Sequence, residues 1–237
     1  MSIQGLRFGV AGDNASGVIT NPFSFYRHMR RNGGFAAPAL FALAMGFASA
    51  LVISLMVALG LTGTGQGTLL GATVTAVLVF TPAVLVASFV AGVVLHGLWR
   101  ICGSQRSFET SYRCVAHTSA LIPILALLTV VPYLAATVHA LWLGGLLFIA
   151  STKVHKLSRS RALLMCGLLA SVMFWVGLAV EQRARELVVD NADRQSNFSR
   201  LLKRIEQDDS LTPEQAEQAV DNLIESLQKA AREAEQD

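Results

Sequence analysis

Three histidines and three cysteines are the first side chains to weigh as reagents: His96, His117 and His155, with Cys102, Cys114 and Cys166. Imidazole and thiolate bind zinc, and paired histidines can hold haem iron. Their spacing matches no ligand pattern, and a free cysteine commonly serves as a small buried apolar residue. Packing and hydrogen bonding are therefore the expected roles, and no metal, haem or other cofactor is expected. His139 is a lone polar group with no expected role. The chain has no HExxH, no GxSxG and no phosphate loop. The Gly-rich segment TGTGQGT at 62–68 lacks the lysine such a loop needs and reads as a turn.

Carboxylates are placed just as unhelpfully for catalysis. Up to Val180 there are two, Asp13 and Glu109; the other 14 of the 16 acidic residues begin at Glu181. General acid–base work needs a positioned proton carrier, and ion-coupled transport usually keeps ionisable groups inside the membrane. No Asp, Glu, Lys or Arg falls inside any apolar run as read from the sequence. A non-enzymatic protein is expected.

The elements that carry these residues are membrane helices. Hydrophobic residues make up 53% of the chain and charged ones 15%, well below the share of about a quarter in soluble domains. Runs of 18 or more residues without charge read as spans. Five are expected, over about 35–61, 69–99, 115–131, 134–152 and 162–180. The expected fold is all-α: a polytopic helical membrane protein followed by a C-terminal amphipathic helical hairpin. The second run exceeds what a core of about 30 Å needs, and Pro82 divides it. It is either one long kinked helix or a span preceded by a partly interfacial piece at 69–81.

Small residues recur every fourth position in the first span, at Ala42, Gly46, Ala50 and Ser54, and again after Pro82, at Ala83, Ala87 and Ala91. Such stripes let helices approach closely in lipid, so the two are expected to form one seam. The arm 1–34 precedes the spans. Residues 1–20 are small and polar and are expected to be poorly ordered. Asn21-Pro22 reads as a helix start, with Asn as cap and Pro at the first position. A short amphipathic helix suited to the headgroup layer follows. The polar stretch before the third span places Phe108 and Tyr112 at headgroup depth.

Charge sets a direction. Lys and Arg number four in the arm, three at Arg100, Arg106 and Arg113, and four at Lys153, Lys156, Arg159 and Arg161; the alternate loops carry none. The positive-inside rule then predicts a multi-pass protein of the inner (plasma) membrane, N-terminus cytoplasmic and tail extracytoplasmic. Arg27, Arg30, Arg31, Lys153, Lys156, Arg159 and Arg161 are the candidate contacts to anionic lipid headgroups. Membrane lipids are the expected partners and nucleic acid is not. The acidic tail 181–237 continues as a helix to about 206. Thr212-Pro213-Glu214-Gln215 then opens a second amphipathic helix. Its apolar stripe is too narrow for a good core alone, so it packs on itself, on a second copy in a homo-oligomer, or on a partner protein.

Three pieces carry a resemblance: NPFSFYRHMRRNGGFAAPALFALAMG at 21–46, GSQRSFETSYRCVAHTSALIP at 103–123, and VPYLAATVHALWLGGLLFIASTKVHKLSRSRALL at 131–164. Their order and spacing resemble the Yip-domain family (Ypt/Rab-interacting membrane proteins), in its prokaryotic branch. The resemblance implies five spans, a cytoplasmic N-terminus, and a membrane-organising role of the trafficking or scaffold kind, with no catalytic residues to carry over. Passive permeation or lipid movement, and anchoring of a larger complex, are the alternative functions.

Overall fold

The computed structural model describes residues 8–61 and 69–206. All regular structure among them is helical: α1 (Phe8–Thr20), α2 (Pro22–His28), α3 (Ala36–Ala58), α4 (Leu69–Ile101), α5 (Phe108–Thr118), α6 (Ile122–Leu128), α7 (Leu134–Lys153) and α8 (Arg159–Glu206), with a 3₁₀ turn, Ser119–Leu121, between α5 and α6. Five segments are long and apolar enough to cross a membrane: Ala36–Ala58, Leu70–Ile101, Phe108–Leu128, Leu134–Lys153 and Arg159–Glu186. The chain divides into two units, Met1–Gln182 and Arg183–Asp237.

In the first unit, the arm departs from its sequence reading. Residues 8–20 form a helix, although they are small and polar, because tertiary contacts supply what propensity does not. Val18 is completely buried and belongs to the core, with Ala11, Ala15 and Ile19 packed against it. The next helix starts as its sequence predicts: Pro22 takes the first turn, and the Asn21 side chain accepts a hydrogen bond from the Ser24 amide at 3.1 Å. Tyr26 then drops into the core and donates to the Cys114 carbonyl at 3.2 Å. Burial and the nearby Cys114 raise the Tyr26 pKa well above its ordinary value, so the phenol stays a neutral donor.

The second span is one helix from Leu69 to Ile101 with Pro82 inside it, so 69–81 is no separate interfacial piece. The seam between α3 and α4 needs a correction on one side. Ala42, Gly46, Ala50 and Ser54 are all buried on α3. A Cβ on Gly46 would lie 3.1 Å from the Thr81 backbone and from Val84, which is close approach of the kind small residues permit. On α4, however, the buried positions are Val84, Ser88 and Gly92, while Ala83 and Ala87 are exposed and Ala91 half-buried. Any stripe of period four has neighbours one position round the helix, and the sequence favoured the wrong one because Ala looks smaller than Val. Ala83, Ala87 and Ala91 instead line a groove of about 470 Å³ beside Leu125 and Leu143.

The third span differs most. It begins at Phe108, seven residues before its expected start, under a Ser107 cap whose hydroxyl accepts from the Thr110 amide. Every residue from Thr110 to His117 is buried, Tyr112 completely. Tyr112 is thus a core residue and not an interfacial anchor. Glu109 and Arg113 lie within this span, which corrects the expectation that no span holds a charge. Burying 61% of its most apolar stretch, the segment 108–128 is the most enclosed of the five.

Tyr133 turns the chain between α6 and α7 in the left-handed region, at φ 62°. Its amide donates to a Glu181 carboxylate oxygen at 2.7 Å. In the second unit, α8 continues through the expected helical stretch to Glu206. Arg183 and Glu186 pair there at 3.1 Å, both well exposed, a geometry that contributes little to stability. The expected helix from Thr212 lies outside the described residues.

Candidate functional site

The cationic loops and the arm interlock at one end of the first unit. Arg113 lies across this junction. Its Nε donates to the Glu109 carboxylate at 3.2 Å and its Nη2 to the Gly34 carbonyl at 2.7 Å. The Gly34 amide returns a bond to the same Glu109 oxygen at 2.7 Å. Gly33 at φ 131° and Gly34 at φ 82° adopt backbone that favours glycine, and a Cβ on Gly33 would sit 3.0 Å from Arg113 Nη2. Thr110 adds a bond to the Arg31 carbonyl at 3.2 Å. The turn leading into the first span is therefore held by the third.

A second junction joins the loop 102–107 to the short connection 154–158. His155 stacks on Trp99 with ring centres 3.8 Å apart. Its Nδ1 lies 2.9 Å from the Ser104 hydroxyl. Trp99 Nε1 donates to Ser151 at 2.8 Å, and Arg106 Nε to the Val154 carbonyl at 3.1 Å. Trp99 is completely buried and His155 nearly so. Burial above all, then the nearby His96 and Arg106, pushes the His155 pKa down to about 3. The folded ring thus stays neutral where the unfolded ring, near pH 6.5, takes up a proton. Stability is then full above pH 6.5 and lost as pH falls from 6.5 toward 3. By pH 5 the loss from this one group reaches about 2 kcal/mol. Unfolding midpoints of detergent-purified protein between pH 8 and pH 5 check this: the acid-side decline shrinks in His155→Gln.

The His and Cys candidates do not converge. His96 Nδ1 lies 2.9 Å from the Ser111 hydroxyl, His117 Nδ1 donates to the Arg113 carbonyl at 2.6 Å, and His155 belongs to the Trp99 cluster. Cys114 lies under Tyr26, Cys166 Sγ is 3.6 Å from the Ser151 hydroxyl, and Cys102 is half-buried. Among the described residues, no three His, Cys, Asp or Glu side chains group to hold a metal.

The headgroup candidates surround both junctions. Lys153 Nζ sits 4.0 Å above the Phe23 ring, joining the end of α7 to α2. Arg161 donates to the Cys102 carbonyl at 3.4 Å. Arg27, Arg30, Lys156 and Arg159 are exposed, and Arg31 is half-buried. Between arm, α3 and α5 opens a cavity of about 610 Å³ that the sequence did not reveal, lined among others by Asn14, Asn21, Ser24, Arg30, Arg113 and His117. The signal that could have found it was the pairing of Arg113, expected at the end of a loop, with His117 four residues on, expected inside the span.

The Yip1 domain matches residues 16–180, well over half of the chain and all five candidate spans up to their last turns. The chain belongs to the Yip1 domain family. The match starts inside α1 and ends in α8 just before the acidic residues, so the Yip1 domain covers the arm from residue 16 on, both junctions and the cavity lining except Asn14, while the acidic segment lies outside it. Neither the curated proteins nor the solved structures gave a match. Together with the five apolar helices, the family makes this a Yip-like integral membrane protein that contacts lipid.

Proposed function

We propose that this Yip1-domain protein is non-enzymatic and organises membrane lipid and partner proteins, in a trafficking-like or scaffold role. The observation that carries the reading is the interlocked cationic end. The arm and two separate loops are bonded together there, which supports reading Arg27, Arg31, Lys153, Lys156, Arg159 and Arg161 as one face and not three. Each basic residue near an anionic surface contributes about 1 kcal/mol of attraction. The loop charge bias supports a cytoplasmic position for this face, with the N-terminus inside and the tail 181–237 outside the plasma membrane. That orientation would present the tail to an extracytoplasmic protein or a second copy.

The test neutralises those six residues to Gln, leaves Arg30 intact, and reconstitutes both proteins in phosphatidylcholine vesicles containing phosphatidylglycerol. Spin-labelled lipid reports the composition next to the protein. Enrichment of the anionic lipid around the native protein, and its loss in the variant, is the expected result. Equal composition around both would sink the reading. For the tail, co-purification from cross-linked membranes with and without residues 181–237 is the matching experiment; partners common to both would exclude the tail as their dock.

A further inference from the structure

We infer that the cavity between arm, α3 and α5 is a discrete binding site for one anionic phospholipid whose headgroup carries free hydroxyls. Phosphate would meet Arg30 and Arg113, and a headgroup hydroxyl would meet His117. The inference rests on the reading that this end faces headgroups, but adds a site where that reading needs only a surface.

Charge is the first argument. Arg30 and Arg113 both line the cavity, and no carboxylate does so among the described residues. Glu109 engages Arg113 through Nε, and Gly34 engages Nη2, so the guanidinium is oriented while its Nη1 has no hydrogen bond among the described residues. A guanidinium held by two partners loses little entropy when it takes a third, and its planar fork suits phosphate oxygens.

His117 is the second and independent argument. It is 7% exposed, and its ring sits between Phe25 and Phe41 with centres 5.0 and 4.9 Å away. The Arg113 carbonyl can only accept, so the Nδ1 bond to it fixes the proton on Nδ1. Nε2 of the neutral ring is then an acceptor, and it has no hydrogen-bond partner among the described residues. Nε2 is not fully enclosed, so this unpartnered acceptor on the cavity lining is within reach of a donor that enters the cavity. A phosphodiester has no proton to give, but a glycerol or other polyol headgroup does. Phosphate beside arginine and hydroxyl beside Nε2 together describe such a lipid.

Location favours lipid over a soluble phosphate. Ala37 and Pro38 in the first turn of α3 line the cavity, as do Phe25 and Met29. Arg113 and His117 lie in the first three turns of the span that starts at Phe108. Two spans thus begin at this cavity, which is where headgroups lie, and its apolar wall suits the start of acyl chains.

The experiment uses the full chain in detergent and follows retained lipid by native mass spectrometry. The probes are phosphatidylglycerol, phosphatidylmethanol (the same phosphodiester without hydroxyls), phosphatidylcholine and soluble glycerol 3-phosphate. One phosphatidylglycerol should bind, several-fold more tightly than phosphatidylmethanol and far above phosphatidylcholine. His117→Phe keeps the aromatic packing and should erase the preference between the first two lipids. Arg30→Gln, at an exposed side chain, should weaken both by about tenfold. Arg183→Gln, equal in charge but outside the cavity, should change neither. Equal binding of phosphatidylglycerol and phosphatidylmethanol to the native protein, or unchanged selectivity in His117→Phe, overturns the site. Displacement of the lipid by glycerol 3-phosphate would make the ligand a soluble phosphate and overturn the lipid assignment. Because Arg30 stays intact in the six-residue variant above, that variant should keep this one lipid even where it loses the general enrichment.

Discussion

Trp99→Ala lowers the unfolding free energy by about 4 kcal/mol, near the upper end for a large-to-small change in a core. The indole is completely buried, so its truncation opens a void that close-packed neighbours fill only in part. Two further losses follow. The His155 ring loses the face on which it stacks, and the Ser151 hydroxyl loses its indole donor. Among the described residues, the His155 ring is then left with its hydrogen bond to Ser104. Trp99→Phe separates the contributions: it keeps most of the stack and forfeits the N–H bond, at a cost of about 1 kcal/mol. Loss of helical circular dichroism with denaturant or heat, in one detergent, measures both variants. A Trp99→Ala protein that melts with the native one would show that the cluster does not bear on stability.

Arg113→Met is the second large effect, a destabilisation of about 3 kcal/mol. The side chain is 7% exposed and makes the 2.7 Å bond to the Gly34 carbonyl. Methionine fills most of the volume but leaves that carbonyl without its donor and the Glu109 carboxylate without its cation. The Gly33-Gly34 turn loses its lock, so trypsin should cut after Arg30 and Arg31 faster in the variant than in the native protein. Arg113→Lys restores the charge but not the fork that reaches both Glu109 and Gly34, and should recover only part of the loss. Native cleavage kinetics in Arg113→Met would show that the arm is held by other contacts.

These two residues also mark where the sequence was readable and where it was not. The apolar runs gave the spans ending near Ala58, Ile101 and Lys153 to within a few residues, since lipid-facing helices must be apolar along their whole length. Asn21-Pro22 was legible because capping is local chemistry. The third span was not, because hydropathy treats FETSYR as a loop. Several of its polar side chains in fact find partners in the protein: Arg113 in Glu109 and Gly34, Thr110 in Arg31, Ser111 in His96. Apart from Glu109, those partners lie 15 to 79 residues away along the chain, and no local pattern announces them. The same holds for α1, whose order comes from Val18 and Gly17 packing against other elements. The small-residue stripe located the α3 side of its seam and misplaced the α4 side, because residue size alone does not say which face of a helix meets a neighbour. The cavity joins three elements and was invisible for that reason.

The enclosed third span has a consequence for biogenesis. Of the five segments, 108–128 is the least apolar, and its Arg113 and Thr110 side chains bond to an earlier part of the chain. Presented alone to an insertion channel, it would partition poorly into lipid. The arm and the first two spans are synthesised before it and supply Gly34, the Arg31 carbonyl and the α4 surface that it needs. Order of synthesis therefore matches order of need. The nascent chain ending near Gly103 already holds the receptor for the helix that follows, and that helix enters the membrane as a guest of the pair already there.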